Sequence, residues 1–121
     1  MNKVDENLIR LRASQATSQE LVECMVHPSI LVRSKAIVAG AQLQTSDSEQ
    51  IVAAIRGAAN HAQYASVKLM GSVYQRHLAI AALAWLKDGV GMDAFSSEVD
   101  RLAQRDREIV EGLVANGPIE I

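Results

Sequence analysis

The chain has 121 residues, which is enough for one domain with a single hydrophobic core. Hydrophobic residues make up 49% of it and charged residues 21%, a globular composition that excludes an intrinsically disordered chain. The net charge of −2 excludes a uniformly basic nucleic-acid binder, and the single cysteine, Cys24, excludes a disulfide framework and a cysteine-based zinc finger.

Helices are predicted along the whole chain, because apolar residues recur at helical spacing. Aromatic residues are only 3% while alanine occurs 18 times, and this composition favours closely packed helices over a β-sandwich. The last predicted helix is either one long helix or two shorter ones. The predicted helices cover residues 4–13, 18–26, 29–44, 47–60, 62–70, 72–87 and 93–116.

Capping signals mark where these helices start. Thr17-Ser18-Gln19-Glu20 fits a capping box, with a hydroxyl at the cap and a carboxylate three residues later, and the same pattern begins at Ser46 and Ser72. The segment His27-Pro28-Ser29 ends one helix and opens the next, because proline is tolerated in the first turn and not in the interior.

The C-terminal helical stretch has its own start and stop signals. Asp93 is the predicted N-cap, and Asp88–Asp93 before it, with two glycines, is predicted to be a flexible turn. Asn116-Gly117-Pro118 is a typical helix end, with Gly117 expected in the left-handed conformation.

Targeting signals are not evident in the sequence. Met1–Glu6 reaches acidic residues at once and lacks an apolar segment, so no signal peptide is predicted. The least polar stretch, Leu78–Leu86, is half the roughly 18 residues of a membrane-spanning candidate. We therefore expect a cytoplasmic protein in a reducing compartment, with no membrane partner.

The sequence repeats with an offset of 43 residues. Val32–Leu43 aligns with Gln75–Leu86, with an arginine, two alanines and a leucine at identical offsets. The two preceding helices of each unit align in the same register. A repeat of this length divides the single domain, residues 1–121, into similar helical units. The predicted units are 4–44 and 47–87, followed by a C-terminal capping helix or helix pair at 93–116.

His27–Ala36 resembles the turn and second-helix start of a HEAT repeat, in which an Asp-Pro turn leads to Val-Arg and then to spaced alanines. HEAT and armadillo units are about 40–47 residues long, which includes the offset found here. His27 stands where an acidic residue is usual, and in the second copy Gly71 and Gln75 replace the proline and the valine. The resemblance covers about residues 4–87.

The HEAT/armadillo resemblance implies an all-α fold, a short α-solenoid whose stacked units bury their apolar faces between them. Arg33 and its equivalent Arg76 stand at the position where HEAT-like proteins commonly bond an adjacent unit, so both are expected to be structural before they are ligands. Leu78–Leu86 is expected to belong to a helix covered on several sides.

Charge is segregated along the chain. Residues 50–87 contain no Asp or Glu and carry +4, whereas residues 88–121 carry −5. One interpretation is a protein with one face for an anionic partner and another for a cationic partner. The other is that the basic and acidic segments pair within the fold or are simply solvated.

No constellation of residues predicts catalysis. The three histidines, His27, His61 and His77, lack metal-ligand spacing. Cys24 lies three residues before His27, but a small buried thiol is favoured over a nucleophile. The Asp88–Asp93 segment lacks the features of a phosphate-binding loop or a calcium loop. We therefore expect no enzymatic activity, no cofactor and no metal.

The resemblance favours a non-enzymatic protein-binding module, because stacked helices expose an extended recognition surface. In size and architecture the chain resembles small bacterial immunity proteins. The leading hypothesis is an immunity or inhibitor protein that binds and neutralises a cognate toxin, such as a basic nuclease. The expected contact residues are Lys35, Gln42, Glu98, Asp100, Arg101, Arg105, Glu108 and Glu111.

Nucleic-acid binding is the alternative function, since HEAT-like folds include DNA glycosylases that use a basic concave face. The basic segment 50–87 would then contact phosphates, with a steep dependence on salt. The expected anion-binding residues are Arg56, Lys68, Arg76, His77 and Lys87. A small enzyme or tetrapyrrole lyase is a third alternative, which no set of residues supports.

Overall fold

The structure is a computed structural model that describes residues 17–42, 48–86 and 88–118. This part of the chain contains six helices and one short hairpin, and no helix in it is long and apolar enough to cross a membrane. The elements in chain order are α1 (Ser18–Cys24), α2 (Ile30–Gln42), α3 (Ser48–Ala59), β1 (Lys68–Met70), β2 (Val73–Tyr74), α4 (Gln75–Trp85), α5 (Gly89–Val99) and α6 (Gln104–Asn116).

The predicted all-α character is confirmed, since helices dominate and the only sheet among the described residues has two short strands. Helices α1 to α4 lie within the predicted segments, with somewhat shorter ends. The predicted helix over 93–116 is two helices, α5 and α6, and α5 starts earlier than expected. The helix predicted over 4–13 lies outside the described residues.

The helix predicted over 62–70 is wrong, because this segment forms turns followed by β1. The ring of His61 accepts hydrogen bonds at Nδ1 from the backbone N–H groups of Gln63 and Tyr64, each at 3.1 Å. Such a local side-chain acceptor gives the backbone an alternative to helical hydrogen bonds.

Strands β1 and β2 form an antiparallel pair in which Lys68 lies opposite Tyr74. Gly71 lies between them with φ of 49°, in the left-handed region that glycine adopts without strain. The extended strand β2 leads directly into α4. As a result, the second predicted unit, 47–87, has turns and a hairpin between its helices α3 and α4.

The first helix start agrees with the sequence, and the second does not. The Thr17 hydroxyl accepts a hydrogen bond from the N–H of Glu20 at 3.2 Å, which confirms the predicted cap of α1. The predicted cap at Ser72 is wrong, because α4 begins at Gln75. There the ring of His77 accepts from the N–H of Tyr74 at 3.0 Å. The capping box predicted at Ser46 lies outside the described residues.

Asp88, and not the predicted Asp93, caps α5. Its Oδ1 accepts from the N–H of Gly91 at 2.6 Å, and its Oδ2 accepts from the hydroxyl of Ser48 at the start of α3. The segment Asp88–Asp93 is therefore the cap and first turn of a helix instead of a flexible turn. The pattern of the sequence did not predict this cap, because Asp88 is also held by Ser48, which is 40 residues away in the chain.

Gly117 ends α6 in an extended conformation, with φ of −103° and ψ of 179°, so the left-handed prediction is wrong. Its backbone lies against the indole of Trp85, and a Cβ built on Gly117 would lie only 2.0 Å from the Trp85 Cζ2 atom. Glycine is needed here for this close approach, not for a left-handed φ.

Helix α4 lies at the centre of the fold and contacts α2, α3, α5 and α6. Its residues from Leu78 to Leu83 are all buried, which confirms that this apolar run is covered on several sides. Helix α6 packs on it through Val110, while Glu108 and Glu111 are exposed. Helix α6 thus has an apolar side inward and a charged side outward.

Helices α2 and α4 correspond under the 43-residue offset. Val32 and Gln75 are equivalent and both fully buried, as are Ala36 and Ala79. The segment equivalent to α1 is not helical, however, and the segment equivalent to α3 lies outside the described residues. A mostly helical fold is therefore shown, and a solenoid of two similar units stays a prediction.

Candidate interaction surface

A buried polar bridge joins the N-terminal ends of α2 and α4. Arg33, in the first turn of α2, is only 2% exposed. Its Nε donates to Gln75 Oε1 at 2.8 Å, and its Nη1 donates to the backbone oxygens of His27 and Pro28 at 2.9 and 3.0 Å. Gln75 in turn donates through Nε2 to the Ala58 oxygen at 3.1 Å, which ties in the end of α3.

The Arg33 guanidinium is a buried cation without a carboxylate partner among the described residues. Its Cζ lies 3.7 Å from the centre of the Tyr64 ring, and that ring stacks on His61 with centroids 4.6 Å apart. Desolvation by burial lowers the pKa of Arg33, and its interaction with Tyr64 partly opposes this. The second terminal nitrogen, Nη2, has no hydrogen-bond partner in the same part of the chain.

Five large apolar side chains are exposed around this bridge, and we call them the apolar edge. One lies in the turn between α1 and α2, two lie in the first turn of α2, and two lie in the hairpin before α4. Because Arg33 bonds both the α1–α2 turn and the first residue of α4, the two groups lie at the same end of the fold. The members are Val26 (55% exposed), Ile30, Leu31, Met70 (48% exposed) and Tyr74.

Two other exposed apolar residues lie elsewhere. Val90 and Met92 belong to the first turn of α5, which packs against the carbonyl of Leu83 near the C-terminal end of α4. Tyr74 precedes the opposite end of the same helix, which is about 16 Å long. Val90 and Met92 therefore provide a comparison for the apolar edge.

The apolar edge was not among the predicted site residues. A signal for it exists in the sequence, because Ile30, Leu31 and Val32 are consecutive at a helix start. A helix buries one face, so three consecutive apolar residues cannot all point inward. Val32 is buried, and the other two are exposed.

Glu98, a predicted contact residue, is only 3% exposed and is held by internal partners. Its Oε1 accepts from Arg56 Nε at 3.2 Å and from Asn60 Nδ2 at 3.1 Å, and its Oε2 lies 3.4 Å from Arg101 Nη1. The basic middle and the acidic end of the chain are thus paired at this point. Burial removes Glu98 from the surface available to a partner, and the ion pair engages Arg56, a predicted anion ligand.

His77, the third residue of α4 and a predicted anion ligand, is fully buried. Its Nδ1 accepts from the Tyr74 N–H, so the ring proton lies on Nε2 and is donated to Asp106 Oδ1 at 2.8 Å. His77 therefore connects the hairpin, α4 and α6 internally and is not available to an anion. Lys87, another predicted anion ligand, lies outside the described residues.

The remaining predicted contact residues lie at or near the surface with both signs of charge. Along α6 and the turn before it, acidic and basic side chains alternate, and Arg101 is 64% exposed at its side chain. This face is mixed in charge and not uniformly acidic. The exposed residues are Gln42, Lys68, Asp100, Arg101, Arg105, Glu108 and Glu111, and Lys35 and Arg76 are half-buried.

The histidines share a local role that bears on chemistry. Each accepts a backbone N–H at Nδ1, His27 from Ser29 at 2.9 Å, and the other two as given above. Cys24 is buried in α1. Among the described residues no three His, Cys, Asp or Glu side chains are grouped to hold a metal ion. Through Nδ1 each histidine thus holds a nearby backbone N–H group.

Comparisons of the chain with protein families, with curated proteins and with solved structures found no match. The HEAT-like resemblance stays a prediction from the sequence.

Proposed function

We propose that this chain is a non-catalytic protein-binding module whose contact surface is the apolar edge. The observation that carries the proposal is the grouping of Val26, Ile30, Leu31, Met70 and Tyr74 as exposed side chains at one end of the fold. Single exposed apolar residues are ordinary, but a grouped set marks a surface that another molecule covers. Tyrosine and methionine are also enriched in protein interfaces.

The apolar edge is held on a rigid support. The α1–α2 turn is fixed by the two hydrogen bonds from Arg33, and the hairpin is fixed to α4 by the His77 hydrogen bond. A surface whose backbone is already ordered loses less conformational entropy when it binds. This favours recognition by a preformed surface.

The specific form we propose is an immunity or inhibitor protein that covers a toxin. A basic toxin such as a nuclease would be attracted to Asp100, Glu108 and Glu111, which are exposed. Glu98 is internal and arginines alternate with these acids, so the attraction for a basic toxin comes from these three exposed carboxylates. The protein-binding proposal itself rests on the apolar edge and does not require the partner to be a toxin.

Nucleic-acid binding has less support from the charges. Arg56 is paired with Glu98 and His77 is buried, so Lys68 and Arg76 remain among the predicted ligands that the structure describes. Two phosphate contacts correspond to a salt slope of only about −2 on a logarithmic scale. A gel-shift assay at low salt is expected to show no retardation.

The test is affinity capture from a lysate of the source organism, analysed by mass spectrometry, with three forms of the chain. The edge variant carries Val26→Ser and Leu31→Ser, and the control variant carries Val90→Ser and Met92→Ser, which removes comparable exposed apolar surface at the other end of α4. We expect the wild type and the control to capture the same protein partner and the edge variant to lose it.

Circular dichroism and thermal unfolding of all three forms check that the substitutions leave the fold intact. If the edge variant captures its partner as well as the control does, the apolar edge is not the contact surface. If no form enriches any protein, the protein-binding proposal itself is refuted.

A further inference from the structure

We infer that the partner segment covering the apolar edge is acidic and amphipathic, with apolar side chains against the edge and carboxylates toward the cations around it. This inference rests on the proposed protein-binding function of the apolar edge, and not on the basic-toxin form of it, whose attraction is assigned to the acids of α6 and the turn before it. It names the chemistry of the partner, which the apolar side chains alone do not specify. The supporting observations are the placement of three surface cations and of the buried guanidinium.

Three cations border the apolar edge. Lys35 lies one turn after Leu31 on the same face of α2, since residues four apart on a helix are neighbours. Lys68 is paired with Tyr74 across the hairpin, and Arg76 follows two residues later in the first turn of α4. Arg76 reaches only the hydroxyl of Ser66, at 3.4 Å, so its charge is not neutralised by that contact.

The buried guanidinium of Arg33 adds a fourth positive charge beneath the edge. Its partners are two backbone oxygens, a side-chain amide and an aromatic ring, none of which carries a full negative charge. A charge shielded from water and left without a counter-charge projects a stronger field than a solvated one.

The carboxylates near the edge do not balance these cations. Glu23 lies three residues before Val26 at the end of α1, and its carboxylate accepts from Gln19 at 3.3 Å. Asp106 is engaged with the buried ring of His77. Among the described residues that these contacts place beside the edge, three surface cations and the buried Arg33 lie with two carboxylates, and this gives the apolar edge a positive border.

The same observations disfavour two other occupants. A second copy of the chain docked through the edge would bring like charges together, which opposes association. A nucleic acid would match the positive border but would cover Val26, Ile30 and Leu31 with phosphates and sugars, leaving their apolar surface without an apolar partner. An acidic amphipathic segment matches both the exposed apolar side chains and the positive charges beside them.

The test uses two synthetic peptides of about 18 residues, or five helical turns, with leucines on one face at helical spacing. In one peptide the polar positions are glutamate and glutamine, and in the other they are lysine and glutamine. Binding of each fluorescently labelled peptide to the full chain is measured by anisotropy at low salt. We expect the acidic peptide to bind about tenfold more tightly than the basic one.

Variants locate the interaction. Val26→Ser with Leu31→Ser is expected to weaken both peptides, and Val90→Ser with Met92→Ser is expected to weaken neither. Lys68→Glu with Arg76→Glu is expected to remove or invert the preference for the acidic peptide while circular dichroism stays unchanged. Arg33 is left intact, because its bonds support the fold.

The inference is overturned if the two peptides bind equally, if the basic peptide binds more tightly, or if neither binds at the highest soluble concentration. It is also overturned if a labelled DNA duplex displaces the acidic peptide, or if light scattering shows a dimer that the edge variant dissociates. Failure here is distinct from failure of the proposed function. If Lys68→Glu with Arg76→Glu keeps the natural partner in the capture experiment while the edge variant loses it, the surface stands and only its acidic specificity is wrong.

Discussion

Replacing Gly91 by alanine is expected to destabilise the protein, although alanine normally favours a helix over glycine. Gly91 lies in the first turn of α5, where a Cβ would be 2.8 Å from the backbone oxygen of Leu83 and 3.0 Å from both Asp88 Oδ1 and Leu86 Cβ. The closest of these atoms belongs to the backbone of central helix α4, which cannot move aside as a flexible side chain can. Helix α5 would have to shift outward.

Matched controls isolate this effect. Gly57 in α3 and Gly112 in α6 have no atom within 4 Å of a built Cβ. Alanine at these two positions is expected to stabilise the protein by about 0.5–1 kcal/mol through helix propensity alone. At Gly91 the same gain is opposed by an overpacking cost of about 1–3 kcal/mol, so the net effect is a loss of up to about 2.5 kcal/mol.

The assay is urea unfolding followed by circular dichroism, with the slope of the free energy against urea compared among all variants. The expected order of stability is Gly57→Ala and Gly112→Ala above the wild type, and Gly91→Ala below it. If Gly91→Ala is as stable as the two controls, the close packing of α5 on α4 is wrong. The Asp88 cap, which places Val90 and Met92 away from the apolar edge, would then be wrong as well.

Three further substitutions test the buried polar contacts, each by urea unfolding. Arg33→Met removes the guanidinium that donates to Gln75 and to two backbone oxygens. We expect the free energy of unfolding to fall by about 2 kcal/mol, because leaving these acceptors unpaired costs more than is regained by no longer burying a charge. Unchanged stability would contradict the buried bridge. His77→Leu leaves the Tyr74 N–H and the Asp106 carboxylate unpaired and should lower the free energy of unfolding by about 2–4 kcal/mol. Asp106→Asn keeps an oxygen acceptor for the ring and should lower it by less than about 1 kcal/mol. Equal losses in the two variants would refute the placement of the ring proton on Nε2. Glu98→Gln weakens the contacts to Arg56 and Asn60 and should lower the free energy of unfolding by about 1–2 kcal/mol. Arg101→Ala removes only an exposed ion pair and should change that free energy by no more than about 0.5 kcal/mol. The reverse order would show that the exposed pair dominates.

The elements that sequence reasoning predicted correctly are those decided by local forces. Apolar residues at helical spacing predicted α1 to α4, because a helix forms where one face can be buried. The Thr17 cap was predicted because a hydroxyl and the N–H three residues later are neighbours in any helix start. The long apolar run in α4 predicted a helix covered on several sides, since no exposed helix is apolar all round.

The sequence by itself thus determined the helical character of this protein and the central position of α4. Only the tertiary structure decided which charges remain available, because the Glu98–Arg56 pair and the His77–Asp106 hydrogen bond join residues far apart in the chain. The apolar edge is likewise a product of tertiary structure. A helical pattern shows that a face is apolar, but a neighbouring element must be present to cover it. At the start of α2 and at the hairpin before α4 the side chains of Val26, Leu31 and Tyr74 remain exposed.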